Sequence, residues 1–331
     1  MTNHKEIFAE SRVIDGLDTS VWGSENVYRT LRDGGVTAVN ATIAIWDDYE
    51  STLKTITQYL KWFDEFKELI RPVKTVDDIL SAKLENRTGI IFGWQNAAPI
   101  GNDLSRLRLF HELGVRIIQI TYNERNLLGN GCYERVDDGL SRFGLAAVKE
   151  MNRLGILMDL SHVGDRTTMD TIENSDGPVA ITHANARSQI DHPRNKTDEA
   201  IRLLAERGGV IGANAFPMFF ERGFDTDLEE YLDAIDYLVQ MVGPDHVGIG
   251  TDFCMEQPRS FFEWLFMSQG KIPATDIPYT PEPYQHLRGF EDPSDWVKVA
   301  EGLLNRNYSE SDTKKVLGEN WLSLFAQVWS K

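Results

Sequence analysis

The sequence predicts an α/β fold, a single (β/α)8 TIM barrel that occupies residues 1–331. Eight short apolar runs lie along the chain, and each is nearly continuous, as is typical of parallel strands buried on both faces. Helical patterns follow these runs, and the clearest of them end at a glycine just before the next run. A chain of 331 residues, 41% of them hydrophobic, is sufficient for such a barrel.

The predicted strands are short and follow one another at intervals that leave room for a helix. They are residues 12–17, 36–42, 89–95, 116–122, 156–162, 178–183, 209–214 and 246–252. The helical pattern is clearest over residues 104–113, 140–154, 200–207 and 228–242. Because a glycine follows each of these helical stretches, the alternation of helix, glycine and strand predicts eight consecutive units that close into a barrel.

Three regions depart from this alternation. Residues 42–77 form a long insertion after the second strand, with a predicted helix over 51–70. Residues 257–292 are rich in proline and aromatic residues, and they follow the last strand, so we expect a lid or a pocket wall there. A final helix is predicted over 309–329 and should pack on the barrel.

Composition excludes several classes of function. The formal net charge of −17 argues against partners such as nucleic acid or an anionic membrane surface. Residues 1–12 lack the apolar core of a secretory signal, and no apolar run approaches the ~20 residues that span a bilayer. Two cysteines, Cys132 and Cys254, suit a reduced compartment and permit at most one disulfide. We expect a cytoplasmic protein whose partner is a small molecule, and a homodimer is compatible with the sequence.

Three predicted strands end on a side chain that can bind a metal. They end at His162, His183 and Asp252. Since the carboxyl ends of barrel strands meet on one face, these side chains should lie close together. Imidazole and carboxylate are zinc ligands, and a bound zinc ion activates water at neutral pH. The sequence therefore predicts a metallohydrolase in which Asp252 is also the general acid or base.

Each of these residues has a simpler interpretation when it is taken alone. A histidine at a strand end could be a polar rim residue or a helix cap, and Asp252 could be an N-cap. The occurrence of His162 and His183 at the same end of adjacent strands favours the metal site. Histidine ligands need an acceptor for the second ring nitrogen, and Asp159 or a backbone carbonyl could provide it.

Other polar residues on the same face are candidates for substrate binding. Arg194 lies in the loop after the sixth strand, where it could hold a carboxylate through two hydrogen bonds; the alternative is a surface ion pair. Gln95 and Tyr122 end the third and fourth strands and could donate hydrogen bonds to substrate. Cys254 is expected to be a small buried residue rather than a ligand, and the role of Cys132 stays open.

These motifs together resemble the renal (membrane) dipeptidase family of the amidohydrolase superfamily. The matching stretches are residues 15–16, 113–116, 150–155, 159–162, 182–183, 194–195, 250–253 and 317–320. The resemblance implies an amidohydrolase-like barrel with two zinc ions that hydrolyses dipeptides, including those with a C-terminal D-residue. It also implies that His162 and His183 bind the second metal, that Arg194 holds the substrate carboxylate, and that Asp252 binds the first metal and transfers the proton.

The sequence departs from the family pattern at the first metal. The strand-one His-x-Asp reads Leu17-Asp18-Thr19, the bridging glutamate is Gln95, and the strand-four histidine is Tyr122. Leucine cannot bind a metal, and Asp18 should point to the other side of its strand.

We therefore predict about one divalent ion per chain, zinc being the first candidate. The substrate should be a small amide or dipeptide-like molecule with a carboxylate, and ordinary dipeptidase activity is in doubt. The alternatives are a lactonase, a deaminase or a non-hydrolytic enzyme on the same barrel, or a metal-free binding protein.

Overall fold

A computed structural model describes residues 4–273 and 280–330 and confirms the predicted TIM barrel. All strand pairings are parallel, and the closed ring runs in the order β1-β2-β4-β5-β6-β7-β8-β9. The strands are β1 (Val13–Asp18), β2 (Val36–Ala44), β3 (Ile70–Val73), β4 (Thr88–Trp94), β5 (Val115–Gln119), β6 (Leu157–Asp159), β7 (Ala180–Ile181), β8 (Val210–Asn214) and β9 (Val247–Gly250). All eight predicted strands are present in the ring.

One helix precedes the first strand, and the others lie between the strands or after the last one. They are α1 (His4–Glu10), α2 (Glu25–Asp33), α3 (Tyr49–Glu65), α4 (Val76–Leu84), α5 (Ser105–Leu113), α6 (Arg142–Leu154), α7 (Asp165–Asn174), α8 (Asp198–Glu206), α9 (Leu228–Val242), α10 (Arg259–Leu265), α11 (Trp296–Asn305), α12 (Glu310–Lys314) and α13 (Asn320–Trp329). Helices α5 and α6 end at Gly114 and Gly155, both left-handed, as the glycine signal predicted. Among the described residues, none of the helices is long and apolar enough to cross a membrane.

The insertion after β2 contains one element that the sequence did not reveal. Helix α3 begins at a capping box, in which Asp48 accepts from the Ser51 amide and Ser51 Oγ accepts from the Asp48 amide. After it, β3 pairs with the first half of β4, outside the ring. The strand was missed because it has four residues and includes Pro72, and proline is rare within strands.

The predicted final helix is broken into two helices. Between α12 and α13 the chain passes through a π-helical segment, Lys315–Glu319, in which Gly318 is not helical. A Cβ atom on Gly318 would lie 2.0 Å from the carbonyl oxygen of Arg12, just before β1. The close approach to β1 therefore interrupts a helix that hydrophobic periodicity alone predicts as continuous.

Helix α13 closes the amino-terminal end of the barrel. Trp321 is fully buried, and its Nε1 donates to the carbonyl oxygen of Ile249 over 3.0 Å. The indole occupies space that two strand glycines leave free, since a Cβ on Gly16 or Gly248 would lie 2.8 or 2.5 Å from its atoms. Substrate access is therefore expected at the opposite end, where the strands terminate.

Part of the 257–292 segment lies outside the described residues, because 274–279 are not described. In the described part, α10 is followed by a turn that binds the loop after β5. Glu124 Oε2 accepts from Ser268 Oγ (3.0 Å), the Gln269 amide (3.2 Å) and Gln269 Nε2 (2.9 Å). Whether the segment acts as a lid stays a prediction.

The packing of Trp321 on glycine gives a first testable prediction. Gly248→Ala should destabilise the protein by about 1–3 kcal/mol, because overpacking a rigid core site forces side chains and backbone to shift. Urea unfolding measures the difference. The matched control is Gly177→Ala, since a Cβ there has no heavy atom within 4 Å among the described residues. Equal unfolding midpoints for the two variants would contradict the packing argument.

Candidate active site

Two buried imidazoles direct their Nε2 atoms toward each other at the carboxyl ends of β6 and β7. His162 Nε2 and His183 Nε2 are 3.0 Å apart, and the side chains are 4% and 0% exposed. The ring of Tyr122 stacks on His162 with a centroid distance of 4.1 Å. The structure therefore brings together the two histidines that the sequence predicted as a pair.

The hydrogen bonds of the other ring nitrogens determine where the imidazole protons are. His162 Nδ1 lies 2.7 Å from Asn123 Oδ1, which can only accept, so Nδ1 donates. His183 Nδ1 lies 2.7 Å from Thr182 Oγ1, whose own proton goes to Asp159 Oδ2. Thr182 Oγ1 therefore accepts from His183 Nδ1. Both neutral imidazoles then direct a lone pair from Nε2 toward the other.

Asp159 fixes the position of the histidine pair through hydrogen bonds to Ser161 and Thr182. Its Oδ1 accepts from Ser161 Oγ (2.6 Å), the Ser161 amide (3.0 Å) and the Thr182 amide (2.9 Å), and its Oδ2 accepts from Thr182 Oγ1 (2.8 Å). Ser161 Oγ in turn accepts from the His183 amide. The predicted role of Asp159 as an outer partner of an imidazole is exerted through Thr182, because Asp159 Oδ2 itself is 3.9 Å from His183 Nδ1.

The donor set of this pair fits a metal cation. Burial, followed by the charge of Arg194, holds the pKa of both histidines well below the ordinary value, so both are neutral at pH 7. Two nitrogen lone pairs at 3.0 Å repel each other, and a cation between them removes the repulsion. Outer-sphere partners that fix the imidazole tautomer, as Asn123 and Thr182 do, are typical of metal-binding histidines.

The described residues do not place a third His, Cys, Asp or Glu ligand together with the two histidines. Within residues 4–273 and 280–330, no group of three or more His, Cys, Asp or Glu is arranged to hold a metal ion. Asp252, the predicted third ligand, is therefore near the site without completing such a group.

Arg194 is buried directly against the histidine pair and is not a surface residue. Nη1 donates to the carbonyl oxygen of Ser161 (2.6 Å) and Nη2 to that of His183 (3.0 Å). The ring of Phe219 covers the guanidinium at 4.9 Å. Nε is buried and has no hydrogen-bond partner among the described residues. An acceptor from outside the protein, such as a carboxylate, would satisfy it.

Asp252 follows β9 and lies within electrostatic reach of Arg194. Its backbone is left-handed (φ 57°), its amide donates to the Leu17 carbonyl, and Asn214 Nδ2 donates weakly to Oδ2 at 3.4 Å. Burial raises the pKa of Asp252 to about 6, although the Arg194 charge opposes the shift. A carboxylate with this pKa is ionised at pH 7 and basic enough to accept a proton from water.

Neutral side chains occupy the positions of the family's first metal. Thr19 Oγ1 lies 2.9 Å from Cys254 Sγ, and Gln95 Nε2 donates to Thr42 Oγ1 over 3.1 Å. Leu17 is buried and apolar. Thr19 and Gln95 thus have uncharged partners, and neither they nor Leu17 carry a charge that would hold a second cation.

Asp18, which lies between the substituted positions Leu17 and Thr19, is also buried. Its Oδ1 accepts from the Ser20 amide over 2.6 Å, while Oδ2 has no partner among the described residues. Burial raises the pKa of Asp18 to about 7, and the charge of Asp252 adds to the rise. That Asp18 points away from the site stays a prediction.

Sequence reasoning missed two residues near the site. Tyr284 comes from the irregular 257–292 segment, which has no periodicity that would single it out. Lys196 is buried and donates to the Val163 carbonyl over 2.5 Å, and burial lowers its pKa to about 7. The only sequence signal for Lys196 is its place two residues after Arg194.

Comparison with known proteins gives consistent matches. A family model described as Membrane dipeptidase (Peptidase family M19) matches residues 5–262. Dipeptidase tcpJ of Claviceps purpurea is 25% identical over 84% of this chain and 60% of its own length. An uncharacterized dipeptidase of Schizosaccharomyces pombe is 30% identical over 63% of this chain and 54% of its own length. The chain thus spans little more than half of these curated relatives.

Solved structures resemble the whole chain. An amidohydrolase from Pseudomonas aeruginosa has a TM-score of 0.95 and 38% identity, and the match covers 99% of this chain and 100% of that one. The probable dipeptidase PvdM from the same species has a TM-score of 0.82 and 20% identity, covering 98% and 97%. A metallo peptidase from Rhodobacter sphaeroides, liganded with a phosphinate mimic of the dipeptide L-Ala-D-Ala, has a TM-score of 0.80 and 22% identity, covering 96% and 99%.

The buried carboxyl of Asp18 gives a prediction about stability. Because folding raises its pKa from near 4 to about 7, its ionisation costs stability progressively as the pH rises through that range. The stability of Asp18→Asn relative to the wild type should therefore increase by about 2–4 kcal/mol between pH 4 and pH 8. Urea unfolding at both pH values checks this, with the exposed Asp64→Asn as control. Parallel pH profiles for wild type and Asp18→Asn would contradict it.

Proposed function

Because the chain belongs to the membrane dipeptidase family, a family of metal-dependent hydrolases, we propose that it hydrolyses a small amide or dipeptide-like substrate that carries a carboxylate. One divalent ion, zinc being the first candidate, is held by His162 and His183. Asp252 is the general base, Arg194 binds the substrate carboxylate, and Tyr122 and Gln95 donate hydrogen bonds to substrate.

One observation carries this proposal. The guanidinium of Arg194 is fixed by the backbone carbonyls of Ser161 and His183, next to the two facing imidazoles. The carboxylate anchor and the cation-binding pair are thus joined in one hydrogen-bonded unit. A substrate held by Arg194 would therefore have its neighbouring bond at a defined position relative to the histidines.

Different residues of the site have different roles in the proposed reaction. A divalent ion at the histidine pair supplies Lewis-acid activation of the carbonyl and of water. Asp252 removes a proton from the attacking water, for which its pKa of about 6 is suitable, and returns it to the leaving amine. Tyr122, 5% exposed and stacked on His162, is positioned by that contact to donate from its phenol to the carbonyl oxygen.

The changed first-metal positions support a narrower substrate range than that of an ordinary dipeptidase. Thr19 and Gln95 are neutral hydrogen-bonding residues where the family pattern has ligands, and their partners Cys254 and Thr42 are neutral too. The loss of one activating cation raises the barrier for an unactivated peptide bond. A carboxylate-bearing lactone is the second candidate, because its carbonyl is more electrophilic and Tyr122 alone could polarise it.

A substrate panel distinguishes these possibilities. Common L,L- and L,D-dipeptides should be turned over slowly or not at all with zinc, manganese or cobalt, while activated amides or lactones that carry a carboxylate should react faster. Rates are measured as kcat/KM. Values at or above ~10⁴ M⁻¹s⁻¹ for ordinary dipeptides would show that the missing ligands are not needed.

The role of Arg194 is tested on the ligand, because replacing a buried arginine could also unfold the site. For one dipeptide, the free acid should bind about 10- to 100-fold more tightly than its C-terminal carboxamide, since only the acid brings a negative charge to the guanidinium. Isothermal titration calorimetry gives both dissociation constants. Equal affinities would remove Arg194 from substrate binding.

A further inference from the structure

Tyr284 lies between the last barrel strand and α11, and neighbouring aromatic rings fix its orientation. It stacks on Phe262 with a centroid distance of 4.4 Å and an interplanar angle of 13°, and on Phe216 at 5.7 Å and 28°. The ring of His286 contacts its edge at 5.0 Å. Phe224 is a fourth ring against it, at 5.8 Å, so the phenol has little freedom to turn.

The same contacts place Tyr284 beside the candidate active site. Phe216 follows Asn214, which contacts Asp252 Oδ2, and its amide donates to Asn214 Oδ1 over 2.5 Å. Tyr284 also packs in a cluster with Cys254, two residues after Asp252. The charges of Cys254 and Asp252 add to burial in raising the pKa of Tyr284, so the phenol lies within electrostatic reach of the general base.

The hydroxyl of Tyr284 is buried and has no hydrogen-bond partner among the described residues. Tyr231 shows the usual situation for a structural tyrosine, since its buried hydroxyl donates to the Ala213 carbonyl over 3.0 Å. Tyr59, a residue of α3, also has no hydrogen-bond partner for its hydroxyl among the described residues. It packs against Trp62 and Phe92, away from the site. A buried unpaired donor costs stability and is expected where a ligand completes the hydrogen bond.

We propose that Tyr284 donates a hydrogen bond to the oxygen of the scissile carbonyl and, together with Tyr122, polarises that bond. The inference rests on the proposed function and adds a catalytic residue to it. Water adds to the carbonyl carbon, its proton passes to Asp252, and the carbon–nitrogen bond breaks as the proton moves to the leaving amine. Both phenols keep their protons and stabilise the negative charge that develops on the oxygen.

The test compares two ligands that differ in the oxygen that Tyr284 would contact. A phosphinate analogue of a dipeptide carries tetrahedral oxygens in place of the scissile carbonyl, whereas the free C-terminal amino acid offers only the carboxylate. Tyr284→Phe should weaken phosphinate binding about 10- to 100-fold and change amino-acid binding less than about 2-fold. For a substrate that the wild type hydrolyses, kcat should fall by a similar factor with little change in KM.

Controls separate this role from a structural one. Tyr237→Phe removes a phenol that contacts Ser188 outside the site and should leave both affinities unchanged. The melting temperature of ligand-free Tyr284→Phe should equal or exceed that of the wild type, because the lost hydroxyl has no partner among the described residues. In the Tyr122→Phe, Tyr284→Phe double variant, the loss of binding free energy for the phosphinate should differ from the sum of the losses in the two single variants.

Three results would contradict either the role of Tyr284 or the proposed function. Wild-type binding of the phosphinate with an unchanged affinity in Tyr284→Phe overturns the inference and leaves the proposed function standing. A lower melting temperature of the variant with equal losses for both ligands assigns Tyr284 a structural role and also overturns it. A wild type that binds neither ligand, metal-loaded, contradicts the proposed function itself.

Discussion

The site depends on the opposition of two imidazole lone pairs across 3.0 Å. Hydrogen bonds from the Nδ1 atoms to Asn123 and Thr182 fix the protons on the far side of each ring. Burial keeps both rings neutral, so they cannot relieve the repulsion by becoming charged. The proposed cation would turn this unfavourable contact into a favourable one.

The rest of the site is built outward from this pair. Asp159 ties the ends of β6 and β7 together through Ser161 and Thr182, and the carbonyls of Ser161 and His183 anchor Arg194. The two histidines to which we assign the metal thus belong to a connected hydrogen-bonded unit. On the opposite side, uncharged contacts between Thr19 and Cys254 and between Gln95 and Thr42 have replaced the ligands. The proposed chemistry follows from this asymmetry, in which phenols take over part of the activation that a second cation would provide.

Much of the fold could be predicted because the barrel repeats one local pattern. Apolar runs locate the eight ring strands, and Gly114 and Gly155 mark helix ends through their left-handed conformation. Tertiary contacts account for what the pattern missed. The break at Gly318 arises from the nearby Arg12 carbonyl, and β3 is recognisable only through its pairing with β4.

The site was predictable to the extent that strand ends carry chemistry. His162, His183 and Arg194 are adjacent in the structure as the sequence predicted, and Asn214 connects Asp252 to the His183 carbonyl. Tyr284 could not be found in this way, because it reaches the site from an aperiodic segment and is oriented by aromatic stacking. The facing Nε2 atoms were also beyond sequence reasoning, since they depend on side-chain tautomers.

The number and position of bound ions test the central claim most directly. Crystals grown with excess zinc and measured at the zinc absorption edge give an anomalous map that locates each ion. We predict one peak, between the Nε2 atoms of His162 and His183, and its loss in crystals of His183→Ala. Two neighbouring peaks, with the second beside Leu17 and Gln95, would contradict the claim, as would a map with no peak at the histidine pair.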